Sequence, residues 1–329
     1  MERVRIATLG AARITPMALL RPARKVPEVE VTAVAARDQG RAAAFAKKHG
    51  IANVRASYDE LLADPDVDAI YNPLPNGLHH RWTMKALEAG KHVLCEKPFT
   101  SNAAEAEDIR DAAAASDRVV MEAFHWRYHP LAARMKEIVD SGALGQVEHI
   151  ETWMCVPLPM PRDIRYRYDL AGGATMDVGA YAINILRWLA GEEPTVESAE
   201  ARLMSPDVDR CMTAEMSLPS GASGRINCSL LSRKLVKVAA HVRGDRGEMR
   251  VLNPVLPQLY HRLKVTADGR TTSEKVAGDA TYTHQLRAFS DAVREGKPTL
   301  SPPEESVANM RVIDSVYEKA GLPPRGQTR

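Results

Sequence analysis

Long apolar runs, paired cysteines and an excess of charge of one sign are all missing from this 329-residue chain. No stretch approaches the roughly 18–20 apolar residues that a membrane span needs, which excludes a helical membrane protein. The four cysteines, Cys95, Cys155, Cys211 and Cys228, lie far apart and form no C-x-x-C pair. That spacing argues against a disulfide frame or a zinc site, and for reduced thiols in a cytoplasmic protein. With 44 basic against 42 acidic residues the formal net charge is only +2, so no field draws the chain to nucleic acid or to an anionic membrane. The opening MERVRIATLG carries charge with no apolar segment before a cleavage site, so it reads as a strand and not as a signal peptide. What remains is a hydrophobic content of 45%, enough for two ordinary domains with a core in each.

Strands and helices alternate through the first third. β-rich runs at 4–9, 29–36, 67–71, 91–95 and 118–121 are separated by helical spacing at 15–25, 39–49, 58–63, 79–89 and 102–115. Such alternation predicts a parallel sheet covered by helices on both faces, doubly wound and Rossmann-like. After about residue 124 the texture changes. Helices at 131–141 and about 173–189 flank a strand at 146–155 and a Pro- and Arg-rich loop at 156–170. Strands follow at 199–204, 211–218, 223–231, 236–243, 247–252 and 259–266, with Pro219-Ser220-Gly221 as one turn. The predicted class is α/β: an N-terminal doubly wound Rossmann domain over 1–124, then a C-terminal α+β domain with a large, mostly antiparallel sheet over 125–329. Helices at 282–295 and 303–320 close the chain, the last expected to pack back toward the first domain.

The first βα turn reads ATLGAARITP. Of the three glycines of a G-x-G-x-x-G fingerprint only Gly10 is present; Ala12 and Thr15 hold the other positions. Gly10 can make the tight turn, and Ala12 is the smallest replacement that lets backbone approach a pyrophosphate. A plain strand–helix turn would read the same way. The second strand ends in VTAVAARDQGR. Proteins that prefer NAD usually place Asp or Glu at that tip. Here Ala36 leaves room for a 2′-phosphate and Arg37 can pair with it, which favours NADP over NAD. The alternative is a solvated Arg37 at a helix start, and Asp38 is read as that helix's cap. Further on, YNPLPNGLHH sets Pro73, Pro75 and Asn76 in a rigid connection from which Asn76 can reach a cofactor. His79 is a second candidate there, against a partly exposed histidine at a helix start.

In GKHVLCEKPFT, residues 90–100, an apolar strand stops at Glu96, Lys97 and Pro98. E-K-P in this place resembles the signature of the Gfo/Idh/MocA oxidoreductase family. Four further blocks occur in the family's order and span both domains: LGAARI at 9–14, PNGLH at 75–79, EAFHWRYHP at 122–130 and AGGATMDVGAY at 171–181. The last two are most similar to the glucose–fructose oxidoreductase branch and to NADP-linked members acting on aldoses and cyclic trans-diols, of the D-xylose dehydrogenase and dimeric dihydrodiol dehydrogenase types. Members of the inositol dehydrogenase kind carry His where this chain has Tyr181.

The resemblance implies hydride transfer between a nicotinamide and a hydroxyl or carbonyl carbon of a sugar or cyclic diol. It assigns catalysis to Lys97, Asp177 and Tyr181. Cofactor binding falls to Gly10, Ala12, Arg13, Ile14, Arg37, Pro75, Asn76, His79, Glu96 and Lys97, with Arg127 and Arg165 as further contacts of cofactor, substrate or subunit. Asp177 and Tyr181 stand four apart on a predicted helix and so share a face. A phenol of pKa about 10 is a poor base at neutral pH unless a cation such as Lys97 lowers it. The resemblance further implies a second domain that binds substrate and a homodimer or homotetramer formed through the open sheet face. Two alternatives stay open: a keto-sugar reductase of nucleotide-sugar biosynthesis, and a non-catalytic NAD(P)-binding sensor, the latter disfavoured by retention of both Lys97 and Tyr181. His125 and His129, spaced i and i+4, read as a structural pair and not a metal site. Cys95 reads as strand filling, and Trp153 as a core or interface residue that could line a sugar site.

Overall fold

VRIATL at Val4–Leu9 forms the first strand, β1, and all but one of its residues are buried. A strand apolar on both faces needs cover on both sides, which a parallel sheet with helical crossovers supplies. Residues 3–232 and 236–326 are described by a computed structural model, and they divide into two compact units. One comprises Met1–Thr100, Ala104–Tyr128 and Tyr282–Val307; the other comprises Ser101–Ala103, His129–Thr281 and Ala308–Arg329.

In the first unit β2 (Val29–Ala35), β3 (Asn53–Arg55), β4 (Ala69–Asn72), β5 (His92–Cys95) and β6 (Val120–Glu122) join β1 in a parallel sheet of order β3-β2-β1-β4-β5-β6. The order runs outward from β1 in both directions, so the strand tips on either side of β1 border the crevice where doubly wound sheets bind ligands. The crossovers include a π turn at Pro16–Leu20 leading into α1 (Arg21–Ala23), then α2 (Gln39–His49), α3 (Tyr58–Ala63), α4 (His79–Glu88) and α5 (Ala103–Ala114). Local chemistry sets their ends. Asp38 accepts from the Arg41 amide at the start of α2, Gly50 ends it in the left-handed region, and Ser57 accepts from the Glu60 amide to start α3. The edge at β6 is covered by chain from much later: the Glu122 amide donates to the Ser301 carbonyl at 3.0 Å and Ser301 Oγ to the Glu122 carbonyl at 2.7 Å. In α8 (Thr281–Glu295), Tyr282, Leu286 and Phe289 are buried at helical spacing.

The second unit is an eight-stranded sheet of order β14-β13-β12-β11-β7-β10-β9-β8. Its strands are β7 (Val147–Cys155), β8 (Thr195–Ser205), β9 (Val208–Ser217), β10 (Ser223–Ser229), β11 (Lys237–Gly244), β12 (Gly247–Leu252), β13 (Arg262–Ala267) and β14 (Arg270–Glu274). All neighbours are antiparallel except β7 and β10, which are parallel. One face carries α7 (Ala180–Ala190), and Thr152 Oγ1 on β7 donates to the Ala182 carbonyl at 2.9 Å. A Cβ on Gly224 would stand 3.0 Å from Leu186 Cδ1, so the helix lies close on the strand. Residues alternating with these point to the other face, where Arg225 pairs with Glu215 and Asn227 Nδ2 donates to Glu151. The remaining helices are α6 (Pro130–Asp140) and α9 (Pro303–Lys319).

Two strands escape the sequence reading. β3 is three residues at a sheet edge with two of them exposed, and β14, RTTSE, buries none. Neither carries an apolar period. β14 is held instead by a fork of two 2.8 Å bonds from Arg134 on α6 to Glu274. Among the described residues no helix is long and apolar enough to cross a membrane.

Candidate active site

At the carboxyl end of β1 the chain turns at Gly10, whose φ is +81° and whose amide donates to the Ala35 carbonyl at 2.6 Å. A Cβ there would meet Leu74 Cδ2 at 3.2 Å and the Tyr58 hydroxyl at 3.5 Å, so both the backbone angle and the space call for glycine. Ala12 and Ile14 are half-buried and Arg13 is exposed. At the neighbouring tip Ala36 is buried and Arg37 exposed, and the Asp38 carboxylate is engaged by the α2 cap. Two partners escaped the sequence reading. Arg41 Nη2 donates to the Ala11 carbonyl at 3.0 Å, tying α2 to the first turn. Tyr58, edge-on to Trp82, feels the charges of both Arg37 and Arg41, which oppose a burial that raises its phenol's pKa. Arg41 was signalled by its place one helical turn after Arg37; Tyr58 gave no local signal. A glycine turn with small neighbours and two guanidiniums suits a dinucleotide with a phosphorylated ribose.

The tips of β4 and β5 are cross-braced. The Glu96 amide donates to the Asn72 carbonyl at 3.0 Å, and the Tyr71 hydroxyl to Glu96 Oε1 at 2.7 Å. Pro75 and Asn76, both half-buried, lead into a 3-10 turn at Asn76–Leu78. His79, a cofactor candidate whose alternative reading is a partly exposed histidine at a helix start, is buried: Nδ1 lies 2.8 Å from the Pro98 carbonyl and Nε2 2.7 Å from the Leu74 carbonyl. Burial brings its pKa down to about 4 and the charge of Lys97 adds to the fall, while the two carbonyls, which favour a protonated ring, oppose it. Lys97 is half-buried and its peptide to Pro98 is cis. Lys97 also acts on His125, which stacks on Tyr282 at 4.0 Å and has its pKa lowered to about 3, chiefly by burial. Burial pushes the Cys95 thiol well above its usual range, with Glu122 and Glu96 adding to it. Arg127 is buried, with Nη1 2.9 Å from Glu305 Oε2.

In the second unit the expected helix from about residue 173 begins instead as a π turn, Thr175–Gly179, and becomes α-helical at Ala180. Asp177 therefore lies in the π turn and Tyr181 in the first α turn. π segments of this kind recur at functional sites. Three glycines permit the geometry. A Cβ on Gly172 would come within 2.6 Å of the Arg165 carbonyl, one on Gly173 (φ +138°) within 2.2 Å of Asp209 Oδ1, and one on Gly179 within 3.0 Å of Cys228 Sγ.

Asp209, fully buried, anchors this segment. Its Oδ2 accepts from the Thr175 amide and hydroxyl, both at 2.7 Å. Its Oδ1 accepts from Tyr317 at 2.9 Å and Arg325 Nη2 at 3.2 Å. Arg325, also fully buried, donates from Nε to the Gly172 carbonyl at 2.8 Å. Arg165 Nε lies 3.2 Å from Asp177 Oδ2, and its Nη1 bonds Asp163 at 3.1 Å; Asp177 is the largest cause of its raised pKa. Tyr181 is buried.

Trp153 alternates with Thr152 on β7 and so faces away from α7, where the ammonium of Lys237 sits 3.3 Å over its ring. That places it on the open sheet face and not on the face of Tyr181. His129 caps α6 by accepting from the Leu131 amide. Among the described residues no group of three or more His, Cys, Asp or Glu is placed to hold a metal ion.

A parallel sheet with a glycine turn at its first strand tip, followed in the chain by a mostly antiparallel sheet, is the two-part organisation of a class of oxidoreductases. The chain belongs to the Gfo/Idh/MocA family: the description "Oxidoreductase family, NAD-binding Rossmann fold" matches residues 4–124 and "GFO/IDH/MocA C-terminal domain" matches residues 132–250. It is 37% identical over 313 residues to D-xylose 1-dehydrogenase (NADP(+)) 2 of Haloferax volcanii, covering 95% of this chain and 96% of that one. It is 34% identical over 298 residues to a dTDP-3,4-didehydro-2,6-dideoxy-alpha-D-glucose 3-reductase of Streptomyces violaceoruber, with 89% and 86% covered. The crystal structure of KijD10, a 3-ketoreductase from Actinomadura kijaniata in complex with NADP and TDP-benzene, is similar with a TM-score of 0.90 at 28% identity, covering 97% and 98%.

Proposed function

We propose that this protein is an NADP-dependent oxidoreductase that moves a hydride between the nicotinamide and a hydroxyl- or carbonyl-bearing carbon of a sugar or cyclic diol. The observation that carries the reading is similarity along 95% of the chain to an NADP-linked D-xylose 1-dehydrogenase. Gly10, Ala12, Arg13 and Ile14 hold the dinucleotide's phosphates, Arg37 with Arg41 its ribose phosphate, and Pro75, Asn76, His79 and Glu96 the wall beyond. When bound, NADP accepts or supplies the hydride. Tyr181 exchanges the substrate hydroxyl proton. Lys97 stabilises negative charge on that oxygen and, as a cation, favours the ionised phenol. Asp177, paired with Arg165, orients substrate or Tyr181, and Arg127 supports the cofactor wall through Glu305. A cytoplasmic homodimer or homotetramer completes the reading. It is supported by four free cysteines and by Leu252, Leu259 and Tyr260 standing exposed.

A second reading, a 3-ketoreductase acting on a dTDP-linked sugar, is favoured by the reductase relatives. One assay separates the two. Purified protein is screened for NADP reduction, with NAD alongside, on aldoses, inositols and trans-cyclohexanediol, and for NADPH oxidation on keto-sugars with and without dTDP. The expected result is turnover of a free sugar or diol. Turnover of dTDP-keto-sugars alone would select the second reading, and NADP binding without any turnover would leave a sensor. Tyr181→Phe is expected to lower turnover by orders of magnitude with NADP affinity retained; loss of affinity instead would overturn the role given to Tyr181.

A further inference from the structure

At the amino ends of β1, β4, β5 and β6, opposite the cofactor tips of the same parallel strands, an open cleft of about 410 Å³ is lined by Arg3, Arg5, Lys91, His92, Arg118 and Arg294. Its one lining carboxylate, Asp68, is already gripped by Arg5, which bonds Oδ2 from Nε at 3.0 Å and Oδ1 from Nη2 at 2.8 Å. The hydrogen bonds of His92 make the cleft more than a basic patch. The Val119 amide donates to His92 Nδ1 at 2.9 Å. A backbone N–H can only donate, so Nδ1 carries the lone pair and the ring proton sits on Nε2. That Nε2–H meets Arg118 Nη1 at 3.4 Å, donor against donor. Protonating the ring offers no relief, because a proton on Nδ1 would collide with the Val119 amide. Burial, then Arg118, accordingly lowers the pKa of His92 to about 4.

Lys91 adds a third donor. Its buried ammonium gives two protons to the carbonyls of Asp64 and Val67, each at 2.7 Å. The third has no partner among the described residues. Arg3 approaches Glu30 only to 3.9 Å. What the cleft lacks is an acceptor with several oxygens.

We propose that this cleft binds a phosphate group, as inorganic phosphate or as a phosphomonoester, whose oxygens accept from His92 Nε2, Arg118 and Lys91. The site lies at the opposite strand ends from the residues assigned to NADP, so it is independent of the phosphates of the cofactor.

The test is a calorimetric titration of the full-length protein with inorganic phosphate in chloride buffer at fixed ionic strength, repeated with NADP present. The expected result is one saturable site with a Kd of about 1 mM or below, unaffected by NADP. Arg118→Ala should weaken it at least tenfold and Arg118→Lys should restore most of the affinity. Arg118 is exposed, so equal melting temperatures in chloride alone serve as the folding check. Glycerol phosphate distinguishes the sources: tighter binding than phosphate indicates a phosphomonoester, equal or weaker binding the free ion. No saturable binding by the wild type up to about 20 mM, competition by NADP, or an unchanged Kd in Arg118→Ala would each overturn the proposal.

Discussion

The Tyr71 hydroxyl donates to Glu96 Oε1 across 2.7 Å, bracing β5 against β4 one residue before Lys97. Tyr71→Phe removes that donor from a buried carboxylate, a loss of about 1–3 kcal/mol. Thermal unfolding should show a lowered melting temperature, and initial rates a fall in kcat of about tenfold with KM for NADP little changed. Unaltered kcat would mean that the brace does not govern Lys97.

The proposed function gives Arg37 and Arg41 the ribose phosphate that distinguishes the two nicotinamide cofactors. Arg37→Ala is expected to weaken NADP by about 1.5–3 kcal/mol, the worth of a hydrogen bond to a charged group, and to leave NAD nearly unchanged. Fluorescence titration with both cofactors reads the difference. Equal losses would show that Arg37 contacts something common to both. Arg41→Ala should cost NAD as well, since Arg41 also holds the Ala11 carbonyl.

Gly179 lies between Asp177 and Tyr181, and a methyl there would press on Cys228 Sγ at 3.0 Å and Thr175 Cγ2 at 3.3 Å. Gly179→Ala should destabilise by about 1–3 kcal/mol through overpacking and reduce kcat. Adding Cys228→Ala frees the sulfur's volume and should return part of both. A double variant no better than the single one would locate the strain at Thr175 instead.

Asp209 and Arg325 are a fully buried ion pair that also carries Thr175, Tyr317 and the Gly172 carbonyl. Asp209→Asn leaves a buried guanidinium without its counter-charge and should cost about 3–5 kcal/mol in urea unfolding. Arg325→Met alone should cost a similar amount. The two together should cost less than their sum, because neither charge is then left alone.

Acid should weaken the first unit through its buried histidines. The pKa of His125 is about 3 in the folded protein, and those of His79 and His92 are about 4; the unfolded value is about 6.5. Between the two the unfolded chain binds a proton that the folded chain refuses, so stability rises with pH there. It is fully present above about 6.5 and drains as pH falls, by up to about 1.4 kcal/mol per pH unit for each histidine. His125→Phe keeps a ring against Tyr282 and removes one titrating group. Its unfolding free energy should therefore fall less between pH 7 and pH 5 than that of the wild type, and an equal fall would contradict the assignment.

Much of this architecture could be read from side-chain period alone, because β1, β4 and β5 are buried on both faces and α2 and α3 carry capping residues at their starts. Asp38 capping α2 and a turn at Gly221 needed only local chemistry. β3 and β14 were invisible because exposed edge strands carry no apolar signal. The candidate site was legible where motif residues are close in sequence, as in E-K-P and D-x-G-x-Y. Asp209 and Arg325, 116 residues apart, had no such signal: a buried charge is placed by a partner that only the fold brings near. His79 shows the same limit, since its burial depends on carbonyls from two separate loops.

The cover of β6 by Ser301 sets a schedule for synthesis. Glu122 leaves the ribosome 179 residues before the serine that pairs with its backbone. At about 5–20 residues per second the parallel sheet waits roughly 10–35 s with its edge bare, long enough for another nascent chain to pair there. A chain truncated before Ser301 would keep the parallel sheet but leave the β6 edge without the backbone partner that covers it.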